Sequence, residues 1–342
     1  LKSSWVVQWL GSWGIGLLVG CGVMVTPTPT ISPTLTPAPI IEPQTLARSV
    51  PNGIVSFAMD EVNLYWSTCR YSGGNVGRGG VFKIAKTGGA VVTLASDQVC
   101  PRRIAVDTAN VYWINEGEPD ASGYYRAGTL MQIAKTNGPP IVLASQIDGH
   151  ASIAIDAMDV YWSDCFIGAI KRIAKGGVLD VVRDAHCPIS LGVDETNLYW
   201  LTRDDLRKID KRGGAVQTLA TGGGSALLLD TASLYWTRTE QASRTTFRSC
   251  ADERSVLLKT SKAGDAPVQL ASIGGLAPDN LAQDANAIYW STDCMNGIGR
   301  VPKNGGAASV AIENQNARFV LTDEKNFYWV TYAEGVVMKQ AK

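Results

Sequence analysis

Few residues of this chain could do acid–base chemistry. His150 and His186 are its two histidines, each in a segment leading into a short apolar run, and Asp148, Asp279 and Glu313 are the carboxylates that could orient them. A histidine held against a carboxylate serves as a general base when the pair reaches a substrate proton. That is the enzymatic reading, a lyase- or lactonase-like site. Against it, these residues are scattered, and no nucleophile elbow, phosphate-binding loop or calcium-loop pattern accompanies them. The sequence therefore assigns no catalytic residue and calls for no cofactor. Sulfur offers the other chemistry. Cys69, Cys100, Cys165, Cys187, Cys250 and Cys294 form an even set without C-x2-C spacing, which favours disulfides over a zinc site.

Composition narrows the function class. Lys plus Arg equals Asp plus Glu at 31 each, so the chain has no basic footprint for nucleic acid. With 342 residues, 45% of them apolar, it is long enough to bury a substantial core. Its first twenty residues are of another kind: Lys2 precedes an apolar run from Trp5 to Val19 that is too short and interrupted for a membrane span. The run ends in Leu18-Val19-Gly20-Cys21, which resembles the bacterial lipobox. That resemblance implies removal of residues 1–20 and lipidation of Cys21 in an envelope protein. Gly22 stands where such lipoproteins often carry an aspartate for inner-membrane retention, which implies the outer membrane. Residues 25–40, VTPTPTISPTLTPAPI, cannot build a helix or a ladder, because proline fixes φ and removes donors. Residues 21–43 thus form the lipidated tether, with a reach of up to ~60 Å in an extended conformation.

The rest of the chain must position whatever chemistry there is, and it is a repeat. An aspartate stands five residues ahead of a Tyr-Trp pair in DEVNLYW, DTANVYW, DAMDVYW, DETNLYW, DTASLYW, DANAIYW and DEKNFYW. The tryptophans are Trp66, Trp113, Trp162, Trp200, Trp236, Trp290 and Trp329, spaced by 47, 49, 38, 36, 54 and 39 residues. Each unit reads as four short strands: an apolar run into the aspartate, the Tyr-Trp strand, a strand such as GTLMQIAK, and one such as VVTLA after a Gly-Gly turn. Four-stranded units of this period are propeller blades, so the expected fold is an all-β seven-bladed propeller over residues 44–342. Tyr and Trp, adjacent on a strand, point to opposite faces of the blade. The aspartate suits an Asx-type turn between the first two strands.

With these motifs on the page, the sequence resembles the YWTD repeats, the class B repeats of low-density-lipoprotein receptors, and is similar to bacterial propeller lipoproteins built on related units. The resemblance spans roughly residues 44–342 and rests on the Asp-x4-Tyr-Trp spacing and the later Gly-Gly turn. It implies protein-ligand binding. The Thr-Asp that follows Tyr-Trp in that family is mostly replaced, by Ser67-Thr68 or Ile114-Asn115 for example, and the family propeller has six blades. No contact residue carries over.

The chain ends predict how the ring closes. The seventh unit lacks its Gly-Gly turn and fourth strand, while Gln44-Thr45-Leu46-Ala47 repeats the Gln217-Thr218-Leu219-Ala220 outer strand of the fourth unit. The N-terminal strand is expected to complete the last blade. Loops after the first and third strands then share one face and are uniformly tight, with turn lysines such as Lys86 and Lys211 whose reversal should matter little to binding. Loops after the second and fourth strands share the other face and vary widely. There the candidate partner-binding residues are Arg70, Tyr71 and Arg78, then Tyr124, Tyr125 and Arg126, then Arg244, Phe247 and Arg248. Glu116 and Glu118 accompany the second group. Cys69 with Cys100 and Cys165 with Cys187 share a pattern, three residues past Trp and just before Pro, leaving Cys250 with Cys294. The expected function is a monomeric, lipid-anchored binding module for a protein or carbohydrate ligand. An axial enzyme site or an outer-membrane assembly scaffold is the alternative.

Overall fold

The computed structural model describes residues 42–48, 53–72, 75–174, 177–241, 254–274, 278, 280–291, 297–313, 315–331 and 335–342. The signal segment, Cys21 and nearly all of the tether lie outside the described residues. No helix occurs among those described, and none is long and apolar enough to cross a membrane.

Each repeat folds from its aspartate outward. In the first unit Asp60 Oδ1 accepts the backbone N–H groups of Val62 and Asn63 at 2.8 and 2.7 Å, which closes the turn between strands Ile54–Met59 and Asn63–Thr68. Asp60 Oδ2 accepts the Tyr65 hydroxyl at 2.7 Å, so one carboxylate ties the turn to the strand it launches. The same tyrosine bond recurs at Asp107, Asp156, Asp194, Asp230, Asp284 and Asp323.

Seven four-stranded antiparallel sheets result. The first runs Ile54–Met59, Asn63–Thr68, Arg78–Ala85, Val92–Val99 from inner to outer edge. The seventh runs Ala317–Thr322, Asn326–Thr331, Val337–Ala341, with Gln44–Ala47 added antiparallel on the outside. In that clasp Gln44 faces Lys339, Thr45 faces Met338 and Ala47 faces Val337. The expected ring closure is therefore present, and the last blade has no third strand left as a bare edge.

The core lies between blades. Seven buried clusters each join the tyrosine of one blade to the tryptophan of the next: Tyr65 with Trp113, Tyr112 with Trp162, Tyr161 with Trp200, Tyr199 with Trp236, Tyr235 with Trp290, Tyr289 with Trp329, and Tyr328 with Trp66 across the closure. Burying an aromatic of this size removes enough apolar surface for about 4–6 kcal/mol of transfer free energy. Two residues before Asp194 the inner strands crowd: at Gly192 a methyl would collide with the Leu229 side chain of the next blade, which accounts for the small residue there.

The turn lysines also tie the blades together: Lys86 is buried, and its Nζ donates to Asp323 Oδ2 at 3.1 Å across the blade boundary. Lys135, Lys211, Lys262, Lys303 and Lys342 likewise reach Asp60, Asp156, Asp194, Asp230 and Asp284, at 2.6, 2.7, 2.8, 3.1 and 2.6 Å. Lys175, at the corresponding position for Asp107, lies outside the described residues. Six of the seven aspartates thus join a turn, a tyrosine and the neighbouring blade among the described residues. Burial opposes ionisation of Asp60, but Lys135, the two backbone donors and Tyr65 overcome it and hold the carboxyl down to about 2. Burial and the adjacent aspartate push the Tyr112 hydroxyl up to about 12.

Candidate functional site

Antiparallel strand order puts the Asp turns and Gly-Gly turns on one face of the ring and the longer loops on the other. On the variable face, Cys69 is bonded to Cys100 and Cys165 to Cys187, as the spacing predicts. Each bridge pins a second-to-third-strand loop to the segment that enters the next blade. Cys250 and Cys294 lie outside the described residues, as do Arg244, Phe247, Arg248 and Asp279.

Beside the first bridge, blades two and three build a compact group. Glu116 directly follows the strand Asn110–Asn115 and is only 1% exposed. A carboxylate so buried needs cations, and two converge on it: Arg102 Nε lies 3.3 Å from Oε2 and His150 Nε2 lies 2.9 Å from Oε1. Buried Asp148 braces the other side, accepting the His150 backbone N–H at 2.9 Å and the Cys165 N–H at 3.3 Å. Hydrogen bonds to Asp148 and Glu116 outweigh burial and pull the His150 imidazole up to about 9, so it is a cation at neutral pH. Cys69 Sγ, Cys100 Sγ and a Glu116 oxygen lie within 4.8 Å of one another, but the sulfurs are bonded to each other and are not thiolate ligands.

An aromatic layer covers this ionic base. The Tyr125 ring meets His150 edge-on at 5.2 Å, and Tyr124 meets Phe166 edge-on at 5.4 Å, joining the loops of two blades. The Arg126 guanidinium sits 4.9 Å from the Tyr124 centroid and 4.6 Å from that of Phe166. Tyr124, Phe166 and Ile167 are 49%, 42% and 57% exposed. They are the exposed large apolar side chains on this face among the described residues; the others sit in the Asp turns, in the turns just before the outer strands, or on the outer strands.

The sequence candidates are therefore divided. Tyr124, Tyr125 and Arg126 come together, with Phe166 and the Arg102–Glu116–His150 group that sequence reasoning did not connect to them. Phe166 carried a signal, since it directly follows a cysteine of the expected bridge. Arg78 donates to the Asp97 carbonyl at 3.0 Å at the base of the first blade's loop. Arg70 is exposed, and the Tyr71 backbone pairs with Val76 in a small hairpin.

Of the enzymatic candidates, Asp148 and His150 meet among the described residues. His186 is held by Arg207 at 2.7 Å and Asp184 at 3.1 Å. Glu313 is exposed at the end of the outer strand Ser309–Glu313. The turn face, by contrast, has clefts of 640 Å³ and 530 Å³ at two blade boundaries, but the charges at their centres, Lys86–Asp323 and Lys211–Asp156, are already paired.

No protein-family model matches the sequence, and no curated protein matches it. Solved structures do. A streptogramin B lyase is 10% identical over 88% of this chain and 98% of its own, with a TM-score of 0.58. BamB from Moraxella catarrhalis is 15% identical over 85% and 86%, with a TM-score of 0.50. A chain of a nidogen/laminin complex is 18% identical over 60% and 83%, with a TM-score of 0.45. At such identities the likeness shows fold alone. This chain is a seven-bladed β-propeller of four-stranded blades, closed by its N-terminal strand and braced by two disulfides on its variable face.

Proposed function

We propose that this chain is a lipid-anchored binding module of the bacterial envelope that captures a macromolecular partner on its variable face. The carrying observation is the Tyr124–Arg126–Phe166 layer, exposed yet fixed on a buried ionic base and two disulfides. Aromatic and arginine side chains supply most interface energy, and a braced surface loses little entropy on association. Leu18-Val19-Gly20-Cys21 and the Pro/Thr tether support attachment through Cys21, and Gly22 supports the outer membrane. Strand Gln44–Ala47 begins at the turn-face end of the seventh blade.

The test is recovery of partners by the acylated chain from native envelope, beside a Tyr124→Ala/Phe166→Ala variant. A protein or glycan captured by the first and lost by the second supports the reading. Capture of barrel-assembly components by both favours the scaffold alternative. Release of a small-molecule product by the isolated propeller favours an enzyme.

A further inference from the structure

A second site lies on the variable face, between blades four and five. There a cleft of 200 Å³ is lined by Arg203, Gly223, Gly224, Ser225, Arg238 and Thr239. Arg203 is exposed in the turn between strands Asn197–Leu201 and Asp205–Asp210, and it makes no ion pair among the described residues. Arg238 rises from strand Ser233–Gln241 and spends one Nη2 contact, at 3.1 Å, on Glu240. The floor is backbone. A methyl at Gly223 would strike the Thr202 carbonyl and one at Gly224 the Thr237 carbonyl, so only glycine fits and the loop lies bare between the two guanidinium groups.

We propose that this cleft receives the oxyanion of an acidic saccharide, a sulfate ester or a uronate carboxylate. Guanidinium groups bind such oxygens through paired, charge-assisted hydrogen bonds. The remaining walls are hydroxyls and glycine backbone, with no aliphatic side chain among the lining residues, which suits a hydroxyl-rich ligand. Glu240 acts as the internal competitor, occupying part of the Arg238 fork until an anion arrives. Asp204 is exposed in the same turn, whereas Asp205 is engaged by Arg207 at 2.7 Å. The site is separate from the Tyr124 layer and does not rest on it.

The experiment titrates the full chain, at constant ionic strength, with inorganic sulfate, glucuronate and a sulfated disaccharide by calorimetry. Saturable binding of the two saccharides is expected. Arg203→Ala should weaken it about tenfold or more, Arg203→Lys less, and Glu240→Gln should tighten it by freeing Arg238. Arg212→Ala, at an exposed arginine on the opposite face, should leave it unchanged. Binding of inorganic sulfate without either saccharide overturns the saccharide assignment. Absence of binding, or binding indifferent to Arg203 and Glu240, overturns the site.

Discussion

The two faces of the ring use charge in opposite ways. On the turn face, one aspartate per blade holds the same turn and tyrosine, and at six of the seven a lysine from the neighbouring blade is seen among the described residues; these short ion pairs hold blades together. On the variable face, Glu116, Arg102, His150 and Asp148 occur once, at one blade boundary, under exposed rings. Repetition around the ring marks architecture, because each closure of the same geometry needs the same residues. A cluster that departs from the repeat has been paid for separately in buried charge, and recognition is the use that its exposed roof supports.

The largest effect that would break this comparison is on the turn face. Lys86→Glu sets a second carboxylate against Asp323 at a nearly closed position, and the cost of an uncompensated buried charge is about 3–5 kcal/mol. Chemical denaturation should show it, while Arg212→Glu, at a side chain 87% exposed, should scarcely move the midpoint. If both reversals are equally mild, the lysines do not join the blades. Next is the second bridge, which closes a 22-residue separation. Replacing Cys165 and Cys187 by serine should cost about 2–4 kcal/mol, and a variant as stable as the parent would remove the brace from the account.

The clasp comes third. Removing residues 1–43 should leave the melting temperature unchanged, whereas removing 1–50 takes away Leu46 and buried Ala47 and bares strand Val337–Ala341, lowering it by several degrees. Identical melting of the two would mean that closure does not depend on this strand. The smallest effect is pH-linked. His150 is lifted from 6.5 to about 9 on folding, so its contribution to stability is complete below pH 6.5 and is lost as pH rises through 9. The stability difference between the parent and His150→Gln should shrink across that window. A constant difference would mean that the imidazole is not held as a cation. The aspartates run the other way: Asp60, held at about 2, contributes above 3.8 and loses its contribution as pH falls through 2.

Much of the fold was legible because it rests on local, repeated patterns. Seven Asp-x4-Tyr-Trp units specify the blades, period-two alternation sends Tyr and Trp to opposite neighbours, and the duplicated Gln-Thr-Leu-Ala reveals the clasp. Two disulfides followed from their place in the repeat. The lysine contacts were hidden because each partner is far away in sequence: Lys135 and Asp60 are 75 residues apart and meet only through the stagger between blades. From sequence, a lysine before Gly-Gly looks like any turn residue. Glu116 was hidden for a related reason. It sits at a loop entrance that reads as solvent-exposed, and its burial depends on a bridge and a histidine contributed by neighbouring segments. Tyr124 and Arg126 were found by residue type, but their contact with Phe166 needed the third blade beside them.

The central claim is that the turn face builds the ring and the variable face binds. It is tested most directly by measuring affinity for the captured envelope partner and melting temperature together on two variants. For Tyr124→Ala/Phe166→Ala the account predicts a loss of about 1–2 kcal/mol in binding at an unchanged melting temperature. For Lys211→Met it predicts a lowered melting temperature and, for the folded protein, unchanged affinity. Binding lost in folded Lys211→Met and preserved in Tyr124→Ala/Phe166→Ala would contradict it.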